Sequence, residues 1–283
     1  MTSRFAVLGH PVAHSLSPRI HAELYAREKI DAVYERADVP TEALPAFLDR
    51  LAQGGYRGLS VTYPHKEAMF RATHDHDTVA QVCGAVNTLV RAGDGPPFAY
   101  RGANTDGEGF ALFLERELGV QVGGLRVLML GAGGSARSVL WALARRGPRA
   151  LAVANRSAGR FADPFFERLR AVSPALELVA AAPDAPQVRA LLDRADLVVH
   201  ATPVGLGADA APVPWPVGHL RDALIVDLNY RAGGLTPFLA GLPENTRAYD
   251  GRGMLLYQAA VAFELWFGRF PDTRGMLALL SKP

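Results

Sequence analysis

Apolar positions along the chain fall into two rhythms, short alternating or continuous runs and longer stretches with a three-to-four-residue spacing. Phe5 to Leu8, Val33 to Val39 and Gly58 to Thr62 read as strands, with helical patterns at Pro18 to Glu28 and Thr41 to Gln53 between them. Val86 to Val90 and Phe98 to Arg101 read as a further extended pair, separated by the turn-rich Ala92 to Pro97. Glu108 to Leu118 predicts a helix with Phe110, Leu114 and Leu118 in register. From Arg126 the texture changes. Arg126 to Leu130 is a buried-strand pattern, followed by Gly-Ala-Gly-Gly-Ser and a helical run to Arg146. Leu151 to Ala154, Leu176 to Val179, Leu197 to His200 and Leu224 to Asp227 are further short apolar strands, the first few separated by helical patterns. Such a βαβ series implies a parallel sheet covered on both faces. The tail, Met254 to Phe267, reads as a strongly apolar helix.

The 283 residues are about twice a usual domain length, so two domains are expected. One cut falls near Asp106 to Glu108, and the Gly-rich Tyr249 to Gly253 is a second joint where the chain returns to the first domain. The expectation is a discontinuous first domain of residues 1–108 plus 251–283, a second domain of residues 109–250, and a ligand cleft with a hinge between them. The 30 basic against 28 acidic side chains leave no electrostatic platform for nucleic acid or an anionic membrane. No apolar run reaches the roughly 18 to 20 residues of a membrane span, and the start lacks signal-peptide character. The single cysteine, Cys83, excludes an internal disulfide framework and a multi-cysteine metal site, so a cytoplasmic, metal-independent protein is expected.

Two places carry chemistry. Gly131-Ala132-Gly133-Gly134-Ser135-Ala136 follows a strand and opens a helix, the context in which glycines let a backbone approach a pyrophosphate held by the helix N-terminus. The bland alternative is a plain strand-to-helix turn. A carboxylate for a ribose hydroxyl is expected about 20 residues later, but Asn155-Arg156-Ser157 and Arg160 stand there, with no acid before Asp163. A guanidinium pairs with a 2′-phosphate where a carboxylate would repel it, so NADP is predicted over NAD, unless both arginines are merely solvated. The second place is Val61-Thr62-Tyr63-Pro64-His65-Lys66. Only Lys29, Lys66 and Lys282 are lysines, and Lys66 falls at a helix start, where the macrodipole disfavours it. A rare lysine in a poor structural position suggests a functional one. Ser15 and Ser17 flank another helix start. Ser17, ahead of Pro18, reads as an N-cap, whereas Ser15 has no such structural reason. His10 and His14 are separated by Pro11, which argues against a helical metal pair. His74 and His76 read as solvated loop residues, Cys83 as a buried small hydrophobe, and Phe263, Trp266 and Phe267 as packing residues.

In order along the chain stand His14-Ser-Leu-Ser-Pro18, Val61-Thr-Tyr-Pro-His-Lys66, Ala85-Val-Asn-Thr88, Asn104-Thr-Asp-Gly107, the Gly131 loop with Asn155-Arg-Ser157, Ala201-Thr-Pro-Val-Gly205 and Gly253-Met-Leu-Leu-Tyr-Gln258. This ordered set resembles the shikimate dehydrogenases. The resemblance implies an α/β fold with an N-terminal substrate domain and a Rossmann-like NADP domain. It also implies NADPH-dependent reduction of 3-dehydroshikimate to shikimate, on the route to chorismate and the aromatic amino acids. By the same resemblance, Ser15 and Ser17 hold the substrate carboxylate, with Tyr230 near it. Thr62, Asn87, Asp106 and Gln258 bind ring hydroxyls, and Lys66 with Asp106 forms the catalytic pair. Gly131 to Ala136, Asn155, Arg156, Ser157 and Arg160 hold the nucleotide, and Ala201 to Gly205 with Thr202, Leu228, Gly251 and Gly253 border the nicotinamide. The only partners implied are small molecules, with a homodimer as one assembly the resemblance allows.

Three positions depart from the family pattern. Ser60 and His200 stand where asparagine is usual, and Asn229 replaces an apolar residue before Tyr230. Ser60 and His200 keep hydrogen-bonding capacity, so unaltered chemistry is expected; Asn229 bears on the carboxylate end of specificity. Other readings remain: a quinate/shikimate dehydrogenase, NAD-linked and catabolic; a paralogue acting on a related cyclic acid such as an aminoshikimate; and a non-catalytic NADP-binding sensor, which would need no proton donor.

Overall fold

The computed structural model describes residues 2–93, 99–202, 215–218, 220, 222–231 and 234–280. They fall into two compact units, residues 2–109 with 255–280, and residues 110–254.

The first unit runs β1 (Ser3–Gly9), α1 (Ser17–Glu28), β2 (Ala32–Asp38), a short 3₁₀ turn (Thr41–Ala43), α2 (Leu44–Gln53), β3 (Gly58–Val61), α3 (Lys66–Ala72), β4 (Asp75–His76), α4 (Thr78–Cys83), β5 (Thr88–Ala92), β6 (Ala99–Ala103) and the start of α5 (Asp106–Arg116). Its sheet has the order β2-β1-β3-β5-β6-β4. β1 is parallel to β2 and β3, whereas β5 is antiparallel to both β3 and β6. Alternation divides the strand residues between two layers. Ala6, Leu8, Leu59 and Val61 pack with Phe47, Leu51 and Met69 on one side. On the other, Phe5 meets Tyr25, Trp266 and Phe267. Trp266 and Phe267 are packing residues as expected, Phe263 is fully buried beside them, and Cys83 is a buried free thiol.

His76 departs from its expected solvated loop. It lies in β4, stacks on Phe70 at 4.3 Å and places Nε2 2.9 Å from Thr73 Oγ1 and 3.0 Å from the Phe70 carbonyl. Phe98, at the start of the expected strand, lies outside the described residues.

The second unit runs β7 (Arg126–Leu130), α6 (Gly134–Ala144), β8 (Ala150–Asn155), a 3₁₀ turn (Ala158–Ala162), α7 (Pro164–Val172), β9 (Glu177–Ala180), α8 (Pro186–Leu192), β10 (Leu197–His200), β11 (Leu224–Asp227), α9 (Pro237–Ala240) and β12 (Ala248–Tyr249). Its order is β12-β11-β10-β7-β8-β9, with every adjacent pair parallel. Counted from β7, this is the doubly wound order 3-2-1-4-5-6, which reverses between β7 and β10. The two last helices are α10 (Arg252–Phe267) and α11 (Met276–Leu280), and the unit boundaries fall inside α5 and α10. No helix among the described residues is long and apolar enough to cross a membrane.

Candidate active site

Strand direction gathers the candidate residues of the first unit at one edge of its sheet. β1, β3 and β6 run the same way, so the segments after them (Ser15 and Ser17, Thr62 and Lys66, and Asp106) leave from the same edge. Asn87 immediately precedes the opposed strand β5 and therefore begins there too. This is the carboxyl edge of the parallel strands, where α/β sheets place their ligands.

The turn after β3 is tied down twice. Thr62 N–H donates to the Leu8 carbonyl at 2.8 Å, and the buried His65 sets Nε2 2.6 Å from the Val39 carbonyl. Lys66 is then the first residue of α3. Its ammonium donates to Asp106 Oδ2 at 2.5 Å, across 40 residues of sequence. Asp106 opens α5, where a carboxylate suits the helix dipole. Its other oxygen, Oδ1, accepts from Asn87 Nδ2 at 2.7 Å. Asn87 in turn uses Oδ1 to accept from Thr105 N–H at 2.8 Å, and Asn104 accepts from Asp106 N–H at 3.2 Å while donating to the Ala85 carbonyl at 2.8 Å. Asn87, Asn104, Thr105 and Asp106 are all buried. Burying a carboxylate is tolerable only when it is paired and hydrogen-bonded, and this one is both. Lys66 keeps 18% of its side chain exposed, so it is less buried than the carboxylate it pairs with.

The serines are corrected in detail. Ser17 is not an N-cap; it is the first residue of α1, its side chain caps nothing, and it is Ser15 whose Oγ accepts the Ser17 N–H at 3.2 Å. Arg36 Nη2 donates to the Ser15 carbonyl at 2.9 Å and steadies the loop. Gln258 is buried on α10, with its amide donating to the Leu255 carbonyl at 2.9 Å. Its placement depends on a residue the sequence reading missed, Gly109, where an added Cβ would stand 2.4 Å from the Gln258 backbone nitrogen. Gly109 lies one turn beyond Asp106, so the close approach brings Gln258 to the Asp106 face of α5. The missed signal was a glycine inside an otherwise strong helical pattern, where it costs about 1 kcal/mol.

In the second unit Gly131 has φ +110°, a backbone that side chains rarely adopt, and an added Cβ would press on Thr202 Cγ2 at 2.9 Å. Gly133 precedes α6, whose first turn has no side-chain cap, and Cβ atoms added at Gly133 or Gly134 would meet nothing within 4 Å. Open space over uncapped N–H groups fits a pyrophosphate. After β8, Arg156, Ser157 and Arg160 are exposed, while Asn155 donates to the Ser157 carbonyl at 2.9 Å and shapes the turn. The nearest acid, Asp163, is committed elsewhere. It caps α7 through Phe165 N–H at 2.9 Å and pairs with the buried Arg137 at 2.6 Å. No carboxylate in this turn therefore opposes a 2′-phosphate, and the residues fit NADP.

Leu228 and Gly251 are adjacent: an added Cβ at Gly251 would stand 2.1 Å from the Leu228 carbonyl oxygen, and one at Gly253 would meet the Phe113 ring at 2.2 Å. Glycine is required at both for space, not for backbone freedom, so Gly251→Val would press directly on Leu228. Tyr230 is half-buried after β11. Of Ala201 to Gly205, only Ala201 and Thr202 lie among the described residues. The described residues contain no cluster of metal-ligating side chains.

Comparisons with known proteins show what the chain is similar to. Residues 7–89 match the family described as shikimate dehydrogenase substrate binding domain, and residues 251–280 match shikimate 5'-dehydrogenase C-terminal domain. Shikimate dehydrogenase (NADP(+)) of Methylobacterium radiotolerans is 40% identical over 95% of this chain and 93% of its own. The enzyme of that name from Xanthomonas euvesicatoria is 41% identical, covering 98% of this chain and 95% of its own. The shikimate 5-dehydrogenase of Thermus thermophilus, solved with NADP(H) and shikimate, superposes with a TM-score of 0.77 at 36% identity, over 98% of this chain and 97% of that one.

Proposed function

Because the chain belongs to the shikimate dehydrogenase family, we propose that its first unit binds the ring acid and carries the proton chemistry, and its second unit binds NADP(H). The protein is an NADP-dependent oxidoreductase that interconverts 3-dehydroshikimate and shikimate, a step toward the aromatic amino acids. The observation that carries the residue assignment is the Lys66–Asp106–Asn87 chain, with Asp106 and Asn87 buried, at the carboxyl edge of the sheet.

Bound NADPH supplies hydride to the ketone carbon. Negative charge then develops on the ketone oxygen, and the Lys66 ammonium meets it as electrostatic partner and proton donor. Asp106 orients the ammonium through Oδ2, and Asn87 holds the carboxylate through Oδ1, so the donor is aimed before substrate arrives. In shikimate oxidation the same lysine, as the neutral amine left by the forward step, takes the hydroxyl proton. Ser15 and Ser17, at the start of α1, face a carboxylate with hydroxyls and a favourable helix end. Thr62 and Gln258 complete the set for ring hydroxyls. In the second unit the Gly131–Ala136 turn holds the pyrophosphate, Asn155, Arg156, Ser157 and Arg160 the 2′-phosphate ribose, and Thr202, Leu228 and Gly251 the nicotinamide end.

The test is NADP-dependent absorbance with shikimate and quinate side by side. The expected result is turnover of shikimate in clear preference to quinate, and with NADP in preference to NAD. Equal turnover of both acids would assign the protein to the quinate/shikimate branch instead, and no turnover of either would overturn the reading.

A further inference from the structure

Two of the three positions that depart from the family pattern, His200 and Asn229, converge on one residue, Thr202. His200 ends β10 fully buried, its ring stacked on Phe238 at 4.2 Å and 13°. Its Nδ1 lies 2.9 Å from Asp227 Oδ1 and its Nε2 lies 2.6 Å from Thr202 Oγ1. Asn229 holds the same threonine from the other side, with Nδ2 donating to the Thr202 carbonyl at 2.9 Å.

Counting hydrogens gives each bond a direction. The Asn229 N–H can only donate, and it reaches Asp227 Oδ1 at 3.0 Å. Thr236 Oγ1 already accepts from Leu239 N–H at 3.3 Å, so its own hydrogen goes to Asp227 Oδ2 at 2.5 Å. Both Asp227 oxygens therefore accept, and the hydrogen between Asp227 and His200 belongs to Nδ1. With the ring hydrogen on Nδ1 alone, Nε2 is an acceptor and Thr202 donates to it. With its hydrogen committed inward, Thr202 Oγ1 can offer only lone pairs to a ligand. Thr202 also lies against Gly131, the first glycine of the nucleotide turn, through its Cγ2.

We infer that the Asp227–His200–Thr202 chain positions the nicotinamide end of NADP(H) by presenting Thr202 Oγ1 as an acceptor for the carboxamide N–H. His200 is a positioning residue, acting through Thr202. An asparagine at position 200 spans only as far as the imidazole Nδ1 and leaves Thr202 unheld; a glutamine reaches the Nε2 position. The inference rests on the assignment of the second unit to NADP.

The experiment is direct titration of NADPH by its fluorescence, without substrate, beside titration of 2′,5′-ADP, which lacks the nicotinamide. Thr202→Val and His200→Asn are each expected to weaken NADPH roughly 5- to 10-fold, the loss of about one hydrogen bond, while 2′,5′-ADP binds as before. The double variant should be no weaker than either single one, because both remove the same contact. Thr202→Ser and His200→Gln should restore most of the affinity. Equal weakening of both probes, unchanged NADPH affinity in both variants, or additive losses in the double variant would overturn the inference. Arg156→Asp separates the two levels: it should weaken 2′,5′-ADP as well as NADPH. If it weakens neither, the NADP assignment fails and the inference with it; if it weakens both while Thr202→Val weakens nothing, the inference alone is overturned.

Discussion

Asp106 is 4% exposed, with one carboxylate oxygen bonded to Lys66 and the other to Asn87, whereas Arg156 and Arg160 stand exposed after β8. The first unit holds its candidate chemistry in a buried, mutually bonded network that joins the turn after β3, the start of β5 and the start of α5. The second offers backbone N–H groups at a glycine turn and guanidinium groups that face solvent. The contrast follows from what each has to do. Proton transfer to a developing charge depends on a donor already aimed, and burial with full hydrogen bonding supplies that aim. Holding a polyanion needs charge and open backbone, and rigid side-chain partners would compete with the ligand.

The largest test of this contrast is Asp106→Asn, which keeps the shape and removes the charge. Turnover is expected to fall about 10²- to 10⁴-fold, with a rise in KM because Asp106 is also assigned to a ring hydroxyl. Steady-state kinetics check it, and a loss confined to KM would reduce Asp106 to a binding residue.

Burial also leaves the first unit sensitive to pH. His21 is fully enclosed, and burial lowers its pKa from 6.5 to about 3. The unfolded chain therefore takes up the proton first, and stability falls as pH drops from about 6.5 towards 3, while above that window the ring contributes no slope. The loss by pH 4 is about 3 kcal/mol. Urea midpoints across this range should show the decline in the native protein and a flatter curve in His21→Leu. Identical slopes would place the acid sensitivity elsewhere.

A smaller effect is expected in the exposed region. Arg156→Asp should shift the preference for NADPH over NADH by about 10- to 100-fold, through the loss of charge-assisted hydrogen bonds, with turnover at saturating cofactor little changed. Measuring kcat/KM for both cofactors checks it; a parallel loss for both would mean Arg156 acts through the fold.

Those expectations also mark where sequence was sufficient. The second unit was legible because its signals are local: an apolar strand, a glycine turn and a helix follow one another within about 20 residues, and repetition of that unit dictates a parallel sheet. Lys66 was legible because a rare residue type stood in a locally unfavourable position. The assignments of Gln258 and Tyr230 rested on the family resemblance, since nothing in their own neighbourhoods singles them out, whereas Ser15 stood out as a hydroxyl beside a helix start without a capping reason. What stayed hidden is long-range. Nothing near Asn87 announces that its amide will hold Asp106, 19 residues on, or that an antiparallel β5 will bring it there. Gly109 and Gly251 are explained only by the backbone each meets, and His76 only by the ring of Phe70. Ser17 lost its expected capping role because α1 begins one residue earlier than Pro18 suggested, with Leu16 at the N-cap.

The central claim is that Lys66 delivers the proton that accompanies hydride transfer. Its most direct test is Lys66→Met with NADPH deuterated at the transferring position, comparing kcat, KM for 3-dehydroshikimate and the deuterium isotope effect on kcat with the native enzyme. The account predicts that kcat falls about 10²- to 10⁴-fold, that KM changes little, and that the isotope effect rises as the chemical step becomes limiting. Near-normal turnover, or a loss expressed wholly in KM, would contradict it.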